Sequence, residues 1–245
     1  WMEEVMPHAK RLSLEEICAH KDIQAVSVAT PIATHAAIAR VLLESGKHIL
    51  CEKPLAEDAK TAHELSALAR EKGLVLVTGY VYLYHPAYQQ LKTDIAGKKI
   101  SRVEFRWKKY GTFIETIEMN LLTHHFALLL DLIGKPSKIE VPCRKPGESA
   151  CDLLETKFIY PSIEVTSHID RMSRVRAHTL SVEAGGQTYV WEGAQLRDAH
   201  GIFESRDTPL KLEVEAFLRA AAGGPVPQTA GDFGARVLEI HEMLT

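Results

Sequence analysis

The 245-residue sequence lacks the features that mark membrane, secreted and nucleic-acid-binding proteins. Its apolar runs are far shorter than the roughly 20 residues needed to span a bilayer. Its 29 basic and 32 acidic residues give a net charge of -3, so no surface for nucleic acid or lipid headgroups is expected. No basic, apolar leader opens the sequence. We therefore expect a cytoplasmic protein whose partner is a small-molecule substrate, with no nucleic acid and no membrane.

The sequence also has little material for metal sites or disulfides. Its four cysteines, Cys18, Cys51, Cys143 and Cys151, include no Cys-x-x-Cys pair. Zinc needs three or four convergent ligands, and no residues are spaced to supply them, so no metal is predicted. Free thiols in a reducing compartment are the favoured interpretation, and a Cys143–Cys151 bridge is the alternative.

What the sequence does contain is a strand–helix–strand pattern over residues 25–54. A valine-rich apolar run ends at Thr30-Pro31, a helical apolar pattern ends at Gly46, and a second apolar run leads to Glu52. Ligands of parallel sheets bind beyond the carboxyl ends of the strands, so the polar residues after both runs should face one site. Those residues are Thr30, Pro31 and His35 after the first run, and Glu52, Lys53 and Pro54 after the second.

The pattern changes further along the chain. A helix ending at Gly73 and a third apolar run complete a parallel α/β unit. From Ile100 onward, apolar and charged residues alternate, as they do in half-buried antiparallel strands. One helix, residues 120–133, interrupts these strands, and two more close the chain, residues 210–222 and 231–244. The sequence therefore predicts a parallel α/β domain followed by a sheet-rich α+β domain.

Two motifs carry a resemblance to a known family. Ala-Thr-Pro-x-x-x-His begins at Ala29, and Gly-Lys-His-x-x-Cys-Glu-Lys-Pro-Leu begins at Gly46. Together they resemble the glucose–fructose oxidoreductase / inositol dehydrogenase (Gfo/Idh/MocA-type) family of NAD(P)-dependent oxidoreductases, from about Leu12 to the end. The resemblance implies a partial Rossmann-type parallel sheet domain, residues 1–96, and an α+β substrate-binding and oligomerisation domain with a mostly antiparallel open sheet, residues 97–245.

One expected motif of that family is absent. Dinucleotide-binding domains open with a strand, a Gly-x-Gly-x-x-Gly turn and a helix. The nearest candidates, Gly185-Gly186 and Gly223-Gly224, lie late in the sequence, in strand and helix contexts. The resemblance therefore implies a dinucleotide-binding domain that is N-terminally incomplete in this sequence. The residue that selects NAD or NADP would lie in the absent part.

The resemblance implies an NAD(P)-dependent dehydrogenase that uses NAD or NADP. It would transfer a hydride between nicotinamide and a hydroxyl or carbonyl carbon of a sugar, cyclitol or sugar derivative, as a homodimer or homotetramer paired through the second-domain sheet. Two alternatives stay open. Val81 and Leu83 are apolar where the family has a polar residue and an arginine, which leaves room for reduction of an imine or another unsaturated bond. The other alternative is a non-catalytic ligand-sensing or regulatory member.

Lys53 and His124 are the predicted catalytic residues. Hydride transfer from a carbinol requires that the substrate oxygen be held while a base removes its proton. The resemblance implies that Lys53 lies against the nicotinamide and the substrate oxygen, with a cis peptide to Pro54. It also places the catalytic histidine at His124, whose neutral imidazole can take the hydroxyl proton.

Two neighbours of His124 leave alternatives open. Adjacent helical residues point about 100° apart, so His124 and His125 cannot both serve one centre, and either could face it. Asn120 lies four residues before His124 and is predicted to bind substrate from the same helical face. A helix N-cap is the other interpretation of Asn120.

The predicted cofactor-binding residues follow the two strands: Thr30, Pro31, His35, Glu52, Lys53 and Pro54. A surface position is the alternative for His35. Glu52 either orients Lys53 or is a solvated carboxylate. Three arginines in a loop between predicted strands, Arg171, Arg174 and Arg176, could bind a phosphate or carboxylate of a substrate, and a solvated loop is the alternative.

Overall fold

The computed structural model describes residues 8–111 and 115–244. Its first part is a parallel sheet of three strands in the order β1-β2-β3, with helices in the connections. In chain order the elements are α1 (Leu14–Ala19), β1 (Ala25–Val28), α2 (Ile32–Glu44), β2 (His48–Glu52), α3 (Ala59–Glu71) and β3 (Leu76–Gly79).

Local sequence explains where these first helices begin and end. Ser13 and Glu16 form a reciprocal capping box at the start of α1. The Asp58 carboxylate accepts a hydrogen bond from the Thr61 amide at the start of α3. Beyond α2 the chain turns at Gly46, whose φ of 78° is costly for a residue with a side chain.

A 3₁₀ turn, Val81–Tyr84, and helix α4 (Pro86–Ile95) lead into the second sheet. Its eight strands are β4 (Ile100–Lys108), β5 (Lys138–Lys145), β6 (Leu153–Ile159), β7 (Glu164–Asp170), β8 (Ala177–Ala184), β9 (Gln187–Glu192), β10 (Gln195–Asp198) and β11 (Gly201–Glu204). Their order is β11-β10-β9-β8-β4-β7-β6-β5, and only the β4–β7 pair is parallel. The predicted fold class is therefore confirmed.

Three further helices complete the part of the chain that the structure describes: α5 (Thr123–Leu132), α6 (Pro209–Ala221) and α7 (Phe233–Glu242). A π-helical turn, Glu118–Leu122, runs directly into α5. The single regular helix predicted for residues 120–133 is therefore wrong in its first turn. Residues 121–130 are all buried, so this segment has no hydrophobic periodicity that could distinguish a π turn from a regular helix.

Helices from both halves of the chain cover the two sheets and form the hydrophobic core. Helices α2, α3 and α7 cover one face of the parallel sheet, and Phe217 of α6 packs on Leu50 and Val77 on the other. Helices α4 and α5 cover one face of the large sheet and leave its second face polar. The last two helices thus contact the parallel sheet, although they come from the later half of the chain. The predicted domain limits, residues 1–96 and 97–245, stay a prediction.

The structure also bears on membrane-spanning helices, disulfides and metal sites. Within residues 8–111 and 115–244, no helix combines the length and apolarity needed to cross a bilayer. All four cysteines are free thiols. Over the same residues, no group of three His, Cys, Asp or Glu side chains is placed to hold a metal ion.

Candidate active site

Lys53 links the end of the parallel sheet to the helix that carries His124. It follows β2 directly, and its peptide bond to Pro54 is cis. Its Nζ donates a hydrogen bond of 2.7 Å to the backbone oxygen of Asn120, in the π-helical turn. Burial lowers the pKa of Lys53, and the carboxylates of Glu52 and Glu115 oppose that shift. The ammonium therefore sits half-buried between the two parts of the fold, with acidic groups close enough to favour its charge.

His124 lies on α5 beside this ammonium. Its ring is 8% exposed, stacks on Trp107 at 5.6 Å between centroids, and meets the Tyr82 ring edge-on at 4.8 Å. Burial lowers its pKa well below the usual value, and the positive charge of Lys53 lowers it further. Within the described residues, Nδ1 of His124 has no hydrogen-bond partner. The imidazole is therefore neutral at pH 7 and lies near the Lys53 ammonium.

His125 points into the large sheet instead. Its Nδ1 lies 2.7 Å from the Ser167 hydroxyl, and its ring stacks on Phe105 at 4.5 Å between centroids. Burial lowers the pKa of His125 most, and the charge of His178 lowers it further. Lys53 does not contribute to that shift. The structure thus places His124, and not His125, next to Lys53.

This arrangement gives a stability prediction for Ser167. Replacing it with alanine leaves the buried Nδ1 of His125 without a partner, which should lower the free energy of unfolding by about 1–3 kcal/mol. Ser181→Ala, on the half-exposed polar face of the same sheet, is the matched control. Urea denaturation of both variants measures the difference, and equal values would show that the His125–Ser167 contact adds nothing.

Asn120 lies inside the π-helical turn, third from its start at Glu118. The N-cap interpretation is therefore wrong, since the helical path begins before this residue. Its carbonyl accepts the Lys53 hydrogen bond, and its Nδ2 donates to a carboxylate oxygen of Glu115 at 3.2 Å. Asn120 thus fixes Lys53 through its backbone. Substrate binding by its side chain stays a prediction.

His35 holds the two predicted cofactor loops together. It is 1% exposed, so the surface interpretation is wrong. One ring nitrogen lies 2.7 Å from the carbonyl oxygen of Pro54, and the other lies 2.7 Å from that of Thr30. Pro31 precedes α2, so the Thr30-Pro31 loop and the turn after β2 meet at one edge of the sheet. The predicted cofactor-side residues are thereby brought together, and contact with a cofactor stays a prediction.

Glu52 is half-buried at the same edge. Its Oε2 accepts a hydrogen bond of 3.3 Å from the backbone amide of Lys53. A Cβ at Gly79 would lie 3.3 Å from both the Cα and Oε2 of Glu52, so only glycine fits here without displacement. The carboxylate is therefore held against the Lys53 backbone, which agrees better with an orienting role than with a solvated one.

Two polar residues near the site, one buried and one half-buried, were not predicted. Glu213 of α6 is 1% exposed, and neither of its carboxyl oxygens has a hydrogen-bond partner within the described residues. Burial raises the pKa of Glu213 to about 8, and the charge of Glu52 contributes. His178 of β8 lies beside Trp107, at 4.1 Å between ring centroids. Each occupies a position where the apolar pattern of its own element predicts a hydrophobic residue, a signal that the sequence contained.

The three loop arginines divide into two groups. Arg171 is buried, with Nε 3.1 Å from the carbonyl oxygen of Gly111 and 3.5 Å from the carboxylate of Asp152, so it is part of the structure rather than a free anion site. Arg174 and Arg176 are exposed.

A cavity of about 440 Å³ lies on the polar face of the large sheet, and Lys53 is not among the residues that line it.

Known oxidoreductases resemble this chain in sequence. Residues 3–80 match the family model GFO_IDH_MocA, described as "Oxidoreductase family, NAD-binding Rossmann fold". The chain is 42% identical over 116 residues to UDP-N-acetylglucosamine 3-dehydrogenase of Acidithiobacillus ferrooxidans, covering 46% of this chain and 37% of that protein. It is 32% identical over 105 residues to trans-1,2-dihydrobenzene-1,2-diol dehydrogenase of Xenopus laevis, covering 43% and 32%. The matches thus span about a third of these relatives' own length.

Solved structures share the fold over almost the whole chain. The Acidithiobacillus ferrooxidans UDP-N-acetylglucosamine 3-dehydrogenase has a TM-score of 0.89 at 24% identity, covering 98% of this chain and 82% of its own. A dehydrogenase from Clostridium difficile has a TM-score of 0.85 at 14% identity, covering 99% and 84%. NAD or NADP as cofactor is supported by the description of the matching family model. The resemblance carried by the Thr-Pro and Glu-Lys-Pro motifs is confirmed over residues 3–80, which match the Gfo/Idh/MocA oxidoreductase family model, and the rest of the chain shares the fold of the solved structures.

Proposed function

We propose that this protein is an NAD(P)-dependent dehydrogenase acting on a CH–OH group of a sugar, cyclitol or sugar derivative, or on the corresponding carbonyl in reverse. The single observation that carries the proposal is the convergence of the Lys53 ammonium with the neutral imidazole of His124, from different parts of the fold. Relatives named as a UDP-N-acetylglucosamine 3-dehydrogenase and a dTDP-3,4-didehydro-2,6-dideoxy-alpha-D-glucose 3-reductase support the sugar class.

The residues at the sheet edge suit a nicotinamide. Thr30, Pro31 and the Glu52–Pro54 turn are joined there by His35, and the Lys53 ammonium and the orphaned Nδ1 of His124 lie next to them. These residues would hold the nicotinamide half of the dinucleotide, and the bound group accepts or supplies the hydride.

Lys53 has the first role in the reaction. Its ammonium is half-buried and held by the Asn120 carbonyl, so it can donate a hydrogen bond to a substrate oxygen without reorganising. In the reductive direction negative charge develops on that oxygen, and a preorganised cation in a poorly solvated site stabilises it. Burial, which lowers the pKa of Lys53, strengthens this interaction by excluding water.

His124 has the second role. As the C–H bond of the alcohol breaks, the hydroxyl proton passes to the free imidazole nitrogen and the oxygen becomes a carbonyl. The reverse reaction returns the same proton to the oxygen. Because burial and Lys53 keep the imidazole neutral, it is ready to accept the proton at pH 7. Asn120 helps to orient the substrate in this proposal.

A second candidate reaction is reduction of an imine or another unsaturated bond. A relative named biliverdin reductase A, from Mus musculus, is 29% identical over 102 residues and favours it. Of the two apolar departures from the family pattern, Leu83 is packed in the core and only Val81 is partly exposed. The sensor alternative is less favoured, because a neutral, unpartnered histidine next to a buried lysine has no evident structural purpose.

The direct test is nicotinamide cofactor binding by the full-length protein, followed by a screen of polyols, sugars and sugar nucleotides for NAD(P)H formation. Failure to bind NAD(H) and NADP(H) would defeat the proposal. With an active substrate, Lys53→Met should lower kcat by about 10²-fold, because one charge-stabilising donor is lost. Lys60→Met, at an exposed position of α3, is the control, and a kcat equal to that control would remove Lys53 from the mechanism.

We also propose that the protein works in the cytoplasm as a homodimer or homotetramer paired through the large sheet. Its four free thiols suit a reducing compartment. The face of the sheet away from α4 and α5 presents partly exposed polar side chains from adjacent strands, among them Glu104, Thr166 and Ser181. A flat polar face of this kind can pair with a second copy.

A further inference from the structure

The first residues of β8 lie next to His124. The His178 ring is 4.1 Å from Trp107 and 4.7 Å from Tyr82 between centroids, and both of these aromatic rings also contact His124. His178 is only half-buried, whereas His124 is almost enclosed. Burial, with the charge of His85, lowers the pKa of His178 to about 4. His178 therefore places a neutral imidazole, which can donate and accept hydrogen bonds, on the more exposed side of the Tyr82 and Trp107 rings.

Arg176 extends this edge outward. It directly precedes β8, two residues before His178, so alternation along an extended chain places both side chains on the same face. The register agrees, because His178 pairs with Trp107 at the end of β4. Burial raises the pKa of Tyr82, and the charge of Arg176 opposes part of that rise, which requires the guanidinium to lie near the phenol.

Arg176 is one of the described arginines that have no acidic partner. Arg102, Arg106 and Arg197 are paired with glutamates, and Arg171 is close to Asp152. In the described part of the chain no carboxylate lies within ion-pair distance of Arg176, and its side chain is exposed. An unpaired guanidinium near the Tyr82 ring is suited to a planar anion, because its fork of N–H donors binds phosphate or carboxylate through two hydrogen bonds.

We propose that the start of β8 recognises the substrate, with His178 contacting the substrate ring and Arg176 binding an anionic substituent, a phosphate or a carboxylate. This inference rests on the proposed function, since it assumes that the reacting carbon lies between Lys53 and His124. It narrows the substrate class to cyclic alcohols or ketones that carry a negative charge a few bonds from the reacting carbon.

The test compares three probes that share one ring: glucose, glucose 6-phosphate and glucuronate. Their binding to the full-length protein is measured by calorimetry at about 0.15 M salt, with and without saturating NADH. We expect the natural protein to bind at least one anionic probe tenfold or more tightly than glucose. Arg176→Gln should abolish that preference, while Arg174→Gln, on the same loop, should keep it. The preferred probe identifies phosphate or carboxylate as the recognised group.

A second pair of variants tests His178. His178→Phe keeps a ring of similar size but no hydrogen-bonding nitrogen, and should weaken binding of all three probes about tenfold or more. His178→Gln restores a donor and acceptor and should recover part of that loss. Thermal unfolding of each variant shows that the protein is folded at the temperature of the titration.

Four outcomes would overturn the inference: no preference for either anion, failure to bind both anions, a preference that survives in Arg176→Gln, or an equal loss in Arg174→Gln. The titrations without NADH separate this inference from the proposed function. Absence of NADH binding together with an anion preference that depends on Arg176 would defeat the dehydrogenase proposal and support the anion site. NADH binding together with turnover of uncharged sugars alone would support the dehydrogenase proposal and overturn the anion site.

Discussion

Replacing His124 with glutamine is expected to lower turnover by about 10²–10⁴-fold, the range over which a positioned general base accelerates proton transfer. Glutamine fills similar space and keeps hydrogen bonding, but it cannot take a proton. The ring of His124 is packed between Trp107 and Tyr82, so its free nitrogen is fixed in position before substrate binds. Substrate affinity should change much less than kcat, because the lost interaction matters mainly while the proton moves.

The matched control is His168→Gln, on the polar face of the large sheet, where the histidine is paired with Glu155. Turnover is followed by NAD(P)H absorbance with whichever substrate the screen identifies. The pH profile gives an independent check. A histidine with the usual pKa would lose its base form below about pH 6.5, but burial and Lys53 lower the pKa of His124 well below that value. Oxidation by the natural protein should therefore persist below pH 6.5. Equal kcat values for His124→Gln and His168→Gln would exclude His124 as the base.

The sequence predicted the parts of this site that depend on local patterns. Lys53 could be placed because apolar runs define strand ends, and the ends of parallel strands meet at one edge of a sheet. Which of His124 and His125 faces the site could not be settled, because both are buried and the groups around them, Trp107 and Tyr82 for one and Phe105 and Ser167 for the other, come from distant parts of the chain. The contact between Lys53 and the Asn120 carbonyl was also beyond prediction, since a backbone oxygen leaves no mark on the sequence.

The residues that sequence reasoning missed share a different cause. Glu213 and His178 owe their importance to groups far away in the chain, Glu52 for the first and Tyr82 and Trp107 for the second. A polar residue at an apolar position of a helix or strand is a visible signal, but alone it does not tell which distant groups surround it. The short strands β10 and β11 were missed for a similar reason in each. The four residues of β10 include a single buried one, and β11 is fully exposed, so neither strand shows a clear alternation of buried and exposed residues.

The pH dependence of stability should report directly on Glu213. Its pKa is raised from 4.5 to about 8, first by burial and then by the charge of Glu52, and Tyr84, the other titratable group near it, stays neutral up to high pH. Between these two pKa values the folded protein keeps a proton that the unfolded chain has lost. Raising the pH through this window therefore favours unfolding, at about 1.4 kcal/mol per pH unit, and the effect stops above pH 8 because both states are then ionised.

Glu213→Gln isolates this effect from the other titrating groups. Glutamine imitates the protonated carboxyl in size and charge, so the two proteins should have similar stability near pH 5. At pH 8–9 the variant should be more stable by about 4 kcal/mol, because it does not place a second negative charge beside Glu52. Glu215→Gln, on the exposed side of the same helix, should parallel the natural protein at every pH. Urea denaturation from pH 5 to 9 measures all three. If the curves of the natural protein and Glu213→Gln stay parallel, Glu213 is ionised in the folded state and has a partner that balances its charge.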